Sequence, residues 1–276
     1  QPIDVSGLTF GTNGFYLDFE DSANLGNDAN GGTDLTEVNL AAVDQATDTP
    51  TNNFATLNPL MVQTGTANEP IFGEGNCQIS TSTAGSIKFY APSTIGMTAG
   101  KWYAEFDSTT TSNVHGSVGI TSDPGALARA NEYIGKFANE YGNYAADGSI
   151  YTSHSENSYG DAWTGEIIGV ALDLDNNKLY MSLNGTWQDS GDPTSGATGT
   201  GAISITAVGS TVDGAYFFAV SDASPSYTNG FDCNFGGCPA GAISSGNADG
   251  DGYGNFEYAV PSGYYALCTK NLAEYG

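Results

Sequence analysis

Apolar and polar positions alternate most regularly between residues 165 and 187. Apolar side chains occupy every second position from 168 to 174 and again from 179 to 183, the period-two pattern of strands with one buried face. Asn176 and Asn177 tolerate the positive φ that a tight hairpin turn requires. The pattern predicts an antiparallel hairpin. The residues predicted to be buried together are Ile168, Val170, Leu172, Leu174, Leu179, Met181 and Leu183.

Strand signals recur from Cys77 onward, at intervals of about 8 to 12 residues. Such spacing, with Gly, Ser, Thr and Asn between the apolar runs, is typical of an all-β, antiparallel β-sandwich. The chain of 276 residues is long enough for one large sandwich. The first residues expected to face its core are Ile79, Ile87, Phe89, Trp102, Ala104 and Phe106.

The N-terminal quarter has a different composition. Residues 20–53 are polar, rich in Gly, Asn, Asp and Thr, and almost without period. Loops of that length are functional or pack on a neighbour. We therefore divide the chain into a loop-rich N-terminal arm, residues 1–74, and a sandwich, residues 75–276. The arm's expected anchors on the sandwich are Phe54, Leu57, Leu60 and Met61.

Several segments carry a family resemblance. The string from Gly165 to Trp187 resembles the central hairpin of SPRY domains. Residues 100–106 resemble the opening SPRY strand, Val118-Gly119-Ile120 resembles the strand after it, and residues 216–220 and 231–236 resemble the late strands. The match covers roughly residues 75 to 270 in the right order. It implies a concanavalin-like, SPRY-type sandwich whose ligand surface is built by loops at one end.

Two flanking motifs resemble a narrower group. Residues 48–59 and 263–272 are similar to the borders of SPRY modules in virion proteins of tailed bacteriophages. That resemblance implies a structural protein, fibre-like or capsid-associated, on the virion surface and therefore extracellular. Its implied partners are a host-surface glycan or protein and other virion proteins. Two alternatives are a polysaccharide-degrading virion enzyme and a purely decorative or assembly protein.

The charge balance narrows the range of partners. The chain has 31 acidic and 6 basic residues, a formal net charge of −25. With so few basic residues to neutralise phosphate, we expect no nucleic acid partner and no attraction to anionic membranes. No run of about 18 apolar residues predicts a transmembrane helix. The acids are interpreted as favouring solubility, and divalent-cation binding by some of them is the alternative.

An aromatic-rich region between strand signals is the main binding candidate. Tyr and Trp offer flat faces that stack on sugars or protein side chains at little entropic cost. The alternative is that individual rings only cap the core. The candidate ligand-binding residues are Tyr133, Tyr141, Tyr144, Tyr151, Tyr159 and Trp163.

A second candidate resembles a calcium-binding loop. Asn247, Asp249 and Asp251 place oxygen ligands at alternate positions, and Gly252 stands sixth. The twelfth position is Tyr258 where the pattern needs a bidentate Glu. Calcium is the one cofactor candidate, and a Gly/Asp turn before a strand is the alternative.

Cysteine and catalytic chemistry offer weaker signals. Cys233 and Cys238 flank a Gly-Gly pair and either close a small loop as a disulfide or remain thiols. Zinc is not expected, since the chain has only two His. No Gly-x-Ser-x-Gly motif, phosphate loop or dinucleotide fingerprint occurs. Glu105 is flanked by apolar residues, but alternation points it outward. We expect no enzyme, although a carboxylate pair of the glycosidase kind remains open among the acids.

The arm also bears on assembly. Ordering its backbone costs about 1–2 kcal/mol per residue, which a segment with almost no apolar residues cannot offset by its own burial. We expect a homo-oligomer in which the arm lies partly on another chain, and the resemblance to fibre-like proteins favours a trimer. The alternative is a monomer whose arm is held by its own sandwich.

Overall fold

The strands of the protein form two packed sheets. The computed structural model describes residues 4–5, 7–40, 45–64, 70–81, 89–110, 112, 114–125, 132–222, 224, 227–237, 241 and 243–276. The strands in chain order are β1 (Gln63–Thr64), β2 (Ile71–Gly73), β3 (Gln78–Ser80), β4 (Phe89–Pro92), β5 (Lys101–Ser108), β6 (Gly116–Thr121), β7 (Glu140–Tyr144), β8 (Ile150–Thr152), β9 (Ser155–Asn157), β10 (Ile167–Asp173), β11 (Lys178–Leu183), β12 (Thr186–Trp187), β13 (Ile203–Ser204), β14 (Phe217–Asp222), β15 (Gly230–Asn234) and β16 (Tyr265–Ala266). One short helix, α1 (Thr269–Tyr275), follows them.

The strand order defines a sandwich. One sheet has seven strands in the order β1-β4-β14-β6-β7-β8-β9. The other has nine, in the order β12-β11-β10-β5-β15-β3-β2, with β13 beside β11 and β16 beside β5. The pairs are antiparallel except β16 with β5, which is parallel. The antiparallel β-sandwich predicted from the sequence is confirmed.

The predicted hairpin is formed by β10 and β11. Val170 lies opposite Met181, and Leu172 lies opposite Leu179. The turn between them covers residues 174–177, and Asn177 has a φ of 55°. Six of the seven residues predicted to be buried together are buried, and Leu183 packs half-buried against them.

The main core lies between the two sheets, because alternate residues of each strand point inward. Trp102, Ala104 and Phe106 of β5 face Val118 and Ile120 of β6 across it. Ile79 and Phe89 are buried in the same core, as expected, whereas Ile87 lies outside the described residues.

A third layer covers the outer face of the nine-stranded sheet. The C-terminal segment lies there, with Phe256 and Tyr264 packed against Tyr103 of β5. Beneath this layer Glu105 is almost fully buried, although alternation does point it away from the main core, as predicted. Its carboxylate accepts hydrogen bonds from the N–H groups of Glu257 and Tyr258, both at 2.8 Å, and these bonds fix the layer to the sheet.

The arm joins the sandwich through two of its four expected anchors. Phe54 and Leu57 are buried, and Leu57 forms a bridge with Ser93 beside β4. Met61 is half-buried, whereas Leu60 is 94% exposed, so its expected role as an anchor is wrong. Residues 54–57 therefore pack as part of the sandwich.

Within the arm, hydrogen bonds to the side chains of Asp28 and Asp34 order the chain. The Asp28 carboxylate accepts from the N–H groups of Tyr16, Asn30 and Gly32 at 3.0–3.1 Å. The side chain of Asp34 accepts from the N–H of Asp28 at 3.1 Å. These bonds order the loop around one buried carboxylate, while several of the arm's apolar side chains remain exposed. They are Leu8, Phe15, Phe19, Leu35, Val38 and Leu40.

Cys233 faces the main core from β15. Its thiol is free and fully buried, and burial raises its pKa well above the ordinary value. Its N–H donates to the carbonyl oxygen of Cys77 at 2.6 Å. Cys238 lies outside the described residues; since the Cys233 thiol is free, the structure shows Cys233 as the thiol alternative and not as a disulfide with Cys238.

Candidate functional site

The outer face of the seven-stranded sheet carries a row of aromatic rings. Val118 and Ile120 of β6 point into the core. Because successive side chains of a strand point to opposite faces, Ser117 of the same strand points outward. Its partner across the strand pair is Tyr144 of β7, which shares that outer face. Tyr151 of β8 lies one strand farther along. The pleat of three neighbouring strands thus brings these side chains to one surface.

The rings touch one another in sequence. Tyr227 stacks on His115 with ring centroids 4.4 Å apart and an interplanar angle of 17°. The centroid of Tyr144 lies 6.0 Å from that of His115 and 5.7 Å from that of Tyr151. Tyr133 then meets the edge of Tyr151 at 5.9 Å. We call these five residues the aromatic row. Tyr227 is 39% exposed and the other four are half-buried, so the row is accessible.

A loop packed across the sheet fixes one end of the row. The buried carboxylate of Glu140 accepts from the N–H groups of Gly135 and Phe137 at 3.1 and 3.0 Å. A Cβ at Gly135 would lie 2.3 Å from the carbonyl oxygen of Tyr151, and its φ of +99° suits glycine. These two constraints hold the loop, and with it Tyr133, close to β8.

Hydrogen bonds fix the other end. The side-chain Oδ1 of Asn229 accepts from the N–H of His115 at 3.0 Å, and its Nδ2 donates to the buried carboxylate of Asp222 at 2.8 Å. Asn229 follows Tyr227 by two positions. One amide therefore ties the segment that carries Tyr227 to the segment that carries His115.

Polar groups accompany the rings. Burial, followed by the charges of Asp147 and Asp222, raises the pKa of Tyr144 above its ordinary value. The pKa of Tyr151 is also raised, by burial and by its 2.9 Å hydrogen bond to Glu156. Both phenols therefore keep their protons at neutral pH; Tyr151 donates its proton to Glu156, and the lone pairs of the two hydroxyl oxygens can accept hydrogen bonds. Beneath Tyr144, the Ser117 hydroxyl is buried without a hydrogen-bond partner among the described residues.

Of the six candidate ligand-binding aromatics, the structure brings three together on one surface and places two others in the core. Tyr133, Tyr144 and Tyr151 come together, whereas Tyr141 and Trp163 lie in the main core. Trp163 is 1% exposed and donates its indole N–H to the Oδ1 of Asn143 at 2.6 Å. The expectation that these two rings bind ligand is therefore corrected, because alternation along β7 turns position 141 inward.

Tyr159 lies apart from the aromatic row. Its ring packs half-buried against the main core, and its hydroxyl donates to the carbonyl oxygen of Gly201 at 3.1 Å. Burial raises its pKa to about 12. Tyr159 therefore holds a loop against the sandwich and does not extend the row.

Sequence reasoning missed His115 and Tyr227. His115 directly precedes β6, and Tyr227 lies three positions before β15. Their contact depends on which strands are neighbours, and no local pattern contains that information. A usable signal was that each is an isolated aromatic or imidazole ring beside the start of a predicted strand.

In the predicted calcium loop, both carboxylate oxygens of Asp249 accept hydrogen bonds from the protein itself. The Oδ1 of Asp249 accepts from the N–H groups of Asp251 and Tyr253, at 3.0 and 2.9 Å. Its Oδ2 accepts from the N–H of Ala266 at 2.9 Å and from the amide of Asn271 at 2.7 Å. The loop thus presents donors to this carboxylate, where a calcium site needs further oxygens.

The other two proposed calcium ligands, Asn247 and Asp251, also form hydrogen bonds within the protein. The amide of Asn247 donates to the carbonyl oxygen of Glu257 at 2.9 Å, and the Asp251 carboxylate accepts from the Tyr275 hydroxyl at 2.9 Å. Among the described residues, no group of three or more His, Cys, Asp or Glu side chains is arranged to hold a metal ion. Calcium binding stays a prediction, and the loop's visible role is to join the third layer to α1.

Carboxylates also gather beside Glu105. Asp107 lies directly opposite Asp232 in the β5–β15 pair. Burial, then the charges of Asp232 and Glu166, raises the pKa of Asp107 from 3.8 to about 6. Burial also raises the pKa values of Glu105 and Asp232. The adjoining cavity measures about 30 Å³, close to the volume of one water, so it does not admit a sugar.

Comparison with known proteins gives structural similarity only. No family model matches the sequence, and no curated protein matches it. Among solved structures, the chain is similar to the SPRY domain of human HERC1 at 14% identity, with a TM-score of 0.48 over 67% of this chain and 99% of that one. It is also similar to stonustoxin at 15% identity, with a TM-score of 0.44 over 65% of this chain and 27% of that one.

In the described part of the chain, no helix has the length and hydropathy needed to span a bilayer.

Proposed function

We propose that this chain is a binding module on the surface of a phage particle and that its aromatic row holds a glycan or protein of the host surface. The observation that supports this most strongly is the unbroken contact of five accessible rings from Tyr227 to Tyr133. Exposed aromatic groups on a rigid sheet are suited to binding, because little conformational entropy is lost when a ligand stacks on them.

The chemistry of the row favours a neutral glycan. Aromatic faces stack on the apolar faces of sugar rings, and the hydroxyl oxygens of Tyr144 and Tyr151 can accept hydrogen bonds from sugar hydroxyls. Asp147, Glu156 and Asp222 lie around the row, and the chain's net charge is −25. An acidic polysaccharide would be repelled, so we expect a neutral or weakly basic ligand.

Placement on a virion rests on the border motifs alone. Residues 48–59 and 263–272 carry that resemblance. In the structure the first motif contains Phe54 and Leu57, and the second contains β16 and the start of α1. The two meet at a bridge between Phe54 and Cys268. The two border motifs therefore lie side by side in the sandwich.

A binding and cleavage assay separates the competing functions. The purified protein is incubated with neutral envelope polysaccharides from candidate hosts, and both retention on the polysaccharide and polymer length are measured. We expect retention without shortening. Shortened chains that disappear after one Asp or Glu substitution would support the enzyme alternative. No retention on any polysaccharide or intact cell would support the purely decorative role.

A further inference from the structure

A second cavity lies on the outer face of the nine-stranded sheet, far from the aromatic row. It sits beside the turn between β11 and β12 and has a volume of about 340 Å³. That volume falls within the range of small-molecule pockets, roughly 300–1,000 Å³. The lining residues that matter here are Tyr103, Ser182, Asn184, Gly185, Trp187 and Tyr258.

At one side of the cavity, the Ser182 and Tyr103 side chains pack closely over a glycine of the neighbouring strand. Gly169 of β10 lies between Glu105 of β5 and Ser182 of β11. A Cβ at Gly169 would lie 2.4 Å from the Ser182 Oγ and 2.9 Å from the Tyr103 hydroxyl oxygen. The Ser182 hydroxyl is buried and has no hydrogen-bond partner among the described residues. An unbonded buried hydroxyl is costly, so a ligand that bonds to it is favoured.

Two aromatic side chains form the walls, and each is held in place. The indole of Trp187 meets the edges of Tyr103 and Tyr180, both with centroids 6.5 Å apart. The backbone N–H of Tyr258 is bonded to Glu105. The ring of Tyr258 packs on Gly185, where a Cβ would lie 2.6 Å from the ring's Cδ1. Fixed walls reduce the entropy lost on binding.

The residues that line the cavity also indicate that its ligand is uncharged. None of the described residues that line the cavity is charged. The nearby Glu105 carboxylate already accepts from the Tyr103 hydroxyl at 2.9 Å and from two backbone N–H groups. Asn184 uses its Oδ1 to accept from the N–H of Ile167, which leaves its Nδ2 donors for another acceptor.

We infer that this cavity binds a single neutral pyranose unit, with a sugar face against Trp187 or Tyr258 and sugar hydroxyls bonded to Ser182 and Asn184. The site is independent of the aromatic row and would give the module a second contact on a branched or repeating glycan. Two linked sites raise overall avidity well above the affinity of either one.

Tryptophan fluorescence reports this site selectively. The chain has three Trp residues, and Trp102 and Trp163 are buried, so acrylamide quenching of the native protein reports Trp187. The probes are glucose, galactose and N-acetylglucosamine, with glucuronate and indole as controls. We expect at least one neutral sugar at millimolar concentration to lower the quenching constant of Trp187 by about twofold. We expect Tyr258→Ala to lower the affinity for that sugar by roughly tenfold.

Two variants separate this site from the aromatic row. Tyr144→Ala, in the row, should leave the protection of Trp187 unchanged, whereas Gly169→Ala should weaken it, because the new Cβ would lie 2.4 Å from the Ser182 Oγ and displace that hydroxyl. Circular dichroism and the unfolding midpoint confirm that each variant is folded. The inference is overturned if no neutral sugar protects Trp187, if only indole or glucuronate does, or if Tyr258→Ala binds as well as the unmodified chain.

Discussion

The Nδ1 of His115 lies 2.6 Å from the hydroxyl oxygen of Tyr144, across the pair formed by β6 and β7. This contact joins the two halves of the aromatic row, because His115 also stacks on Tyr227 and Tyr144 also meets Tyr151. The row therefore depends on the imidazole that lies between Tyr227 and Tyr144.

Replacing this imidazole should weaken ligand binding without unfolding the protein. His115→Asn removes the stacking partner of Tyr227 and the hydrogen bond to Tyr144, so we expect affinity for a bound glycan to fall by roughly tenfold. The matched control is His154→Asn, the chain's other His, which is exposed and has a φ of 62° that Asn tolerates. Isothermal titration with both variants checks this. Equal affinities would contradict the prediction.

Asp107→Asn should stabilise the protein at neutral pH. The pKa of Asp107 is about 6 in the folded chain against an ordinary 3.8, so its charged form is disfavoured by folding. A raised carboxyl pKa lowers stability above pH 6, and the penalty disappears as pH falls from 6 towards 4. Since the side chain is half-exposed, we expect a gain of about 1 kcal/mol at pH 7.5 and none near pH 4.

Urea unfolding at the two pH values measures this difference. Asp213→Asn is the control, because Asp213 is exposed on a loop far from the carboxylate group. An Asp107→Asn variant with the same gain at both pH values would show that ionisation of the half-buried Asp107 carboxyl is not the cause of the gain.

Asn143→Leu should destabilise the sandwich. The substitution removes the acceptor of the buried Trp163 indole N–H and leaves that donor unsatisfied. A lost partner of this kind costs about 1–3 kcal/mol. Asn157→Leu, at an exposed position of β9, is the control and should cost much less. Thermal unfolding of the two variants tests the assignment of Trp163 to the core, and equal midpoints would refute it.

Light scattering should show that the full-length chain is a homo-oligomer. Exposed Phe15, Phe19 and Val38 lie in an arm with little core of its own, next to a groove of about 840 Å³ between the arm and residues 45–50. Apolar surface of this kind is buried by association. Replacing the three residues with Ser should shift the mass towards the monomer. A monomeric unmodified chain whose arm resists protease would contradict the prediction.

Local sequence was sufficient for the elements whose partners are neighbours in the chain. The β10–β11 hairpin is one, because its alternation, turn and return strand lie within residues 168–183. Sequence was insufficient where the answer depended on register between distant strands. Tyr141 and Tyr144 lie on the same strand, and only the pairing of β7 with β6 decides that one faces the core and the other the surface.

The sequence also did not predict which residues a distant segment of the chain would bury. Alternation placed Glu105 on the outer face of β5, but its burial comes from residues 257–258, which are distant in the chain. The same holds for the meeting of His115 and Tyr227. The candidate site could therefore be predicted in part, from three tyrosines on β7, β8 and the loop before them, and completed only by the fold.

Retention on a neutral host polysaccharide, compared between the unmodified chain and a Tyr144→Ala/Tyr227→Ala double variant, tests the central claim most directly. Tyr253→Ala, whose ring lies near Lys270 away from the row, is the matched control. Our account predicts retention by the unmodified chain and the control and a loss of roughly 5- to 150-fold in the double variant, since each stacking ring contributes about 0.5–1.5 kcal/mol. A folded double variant retained as strongly as the control would contradict it.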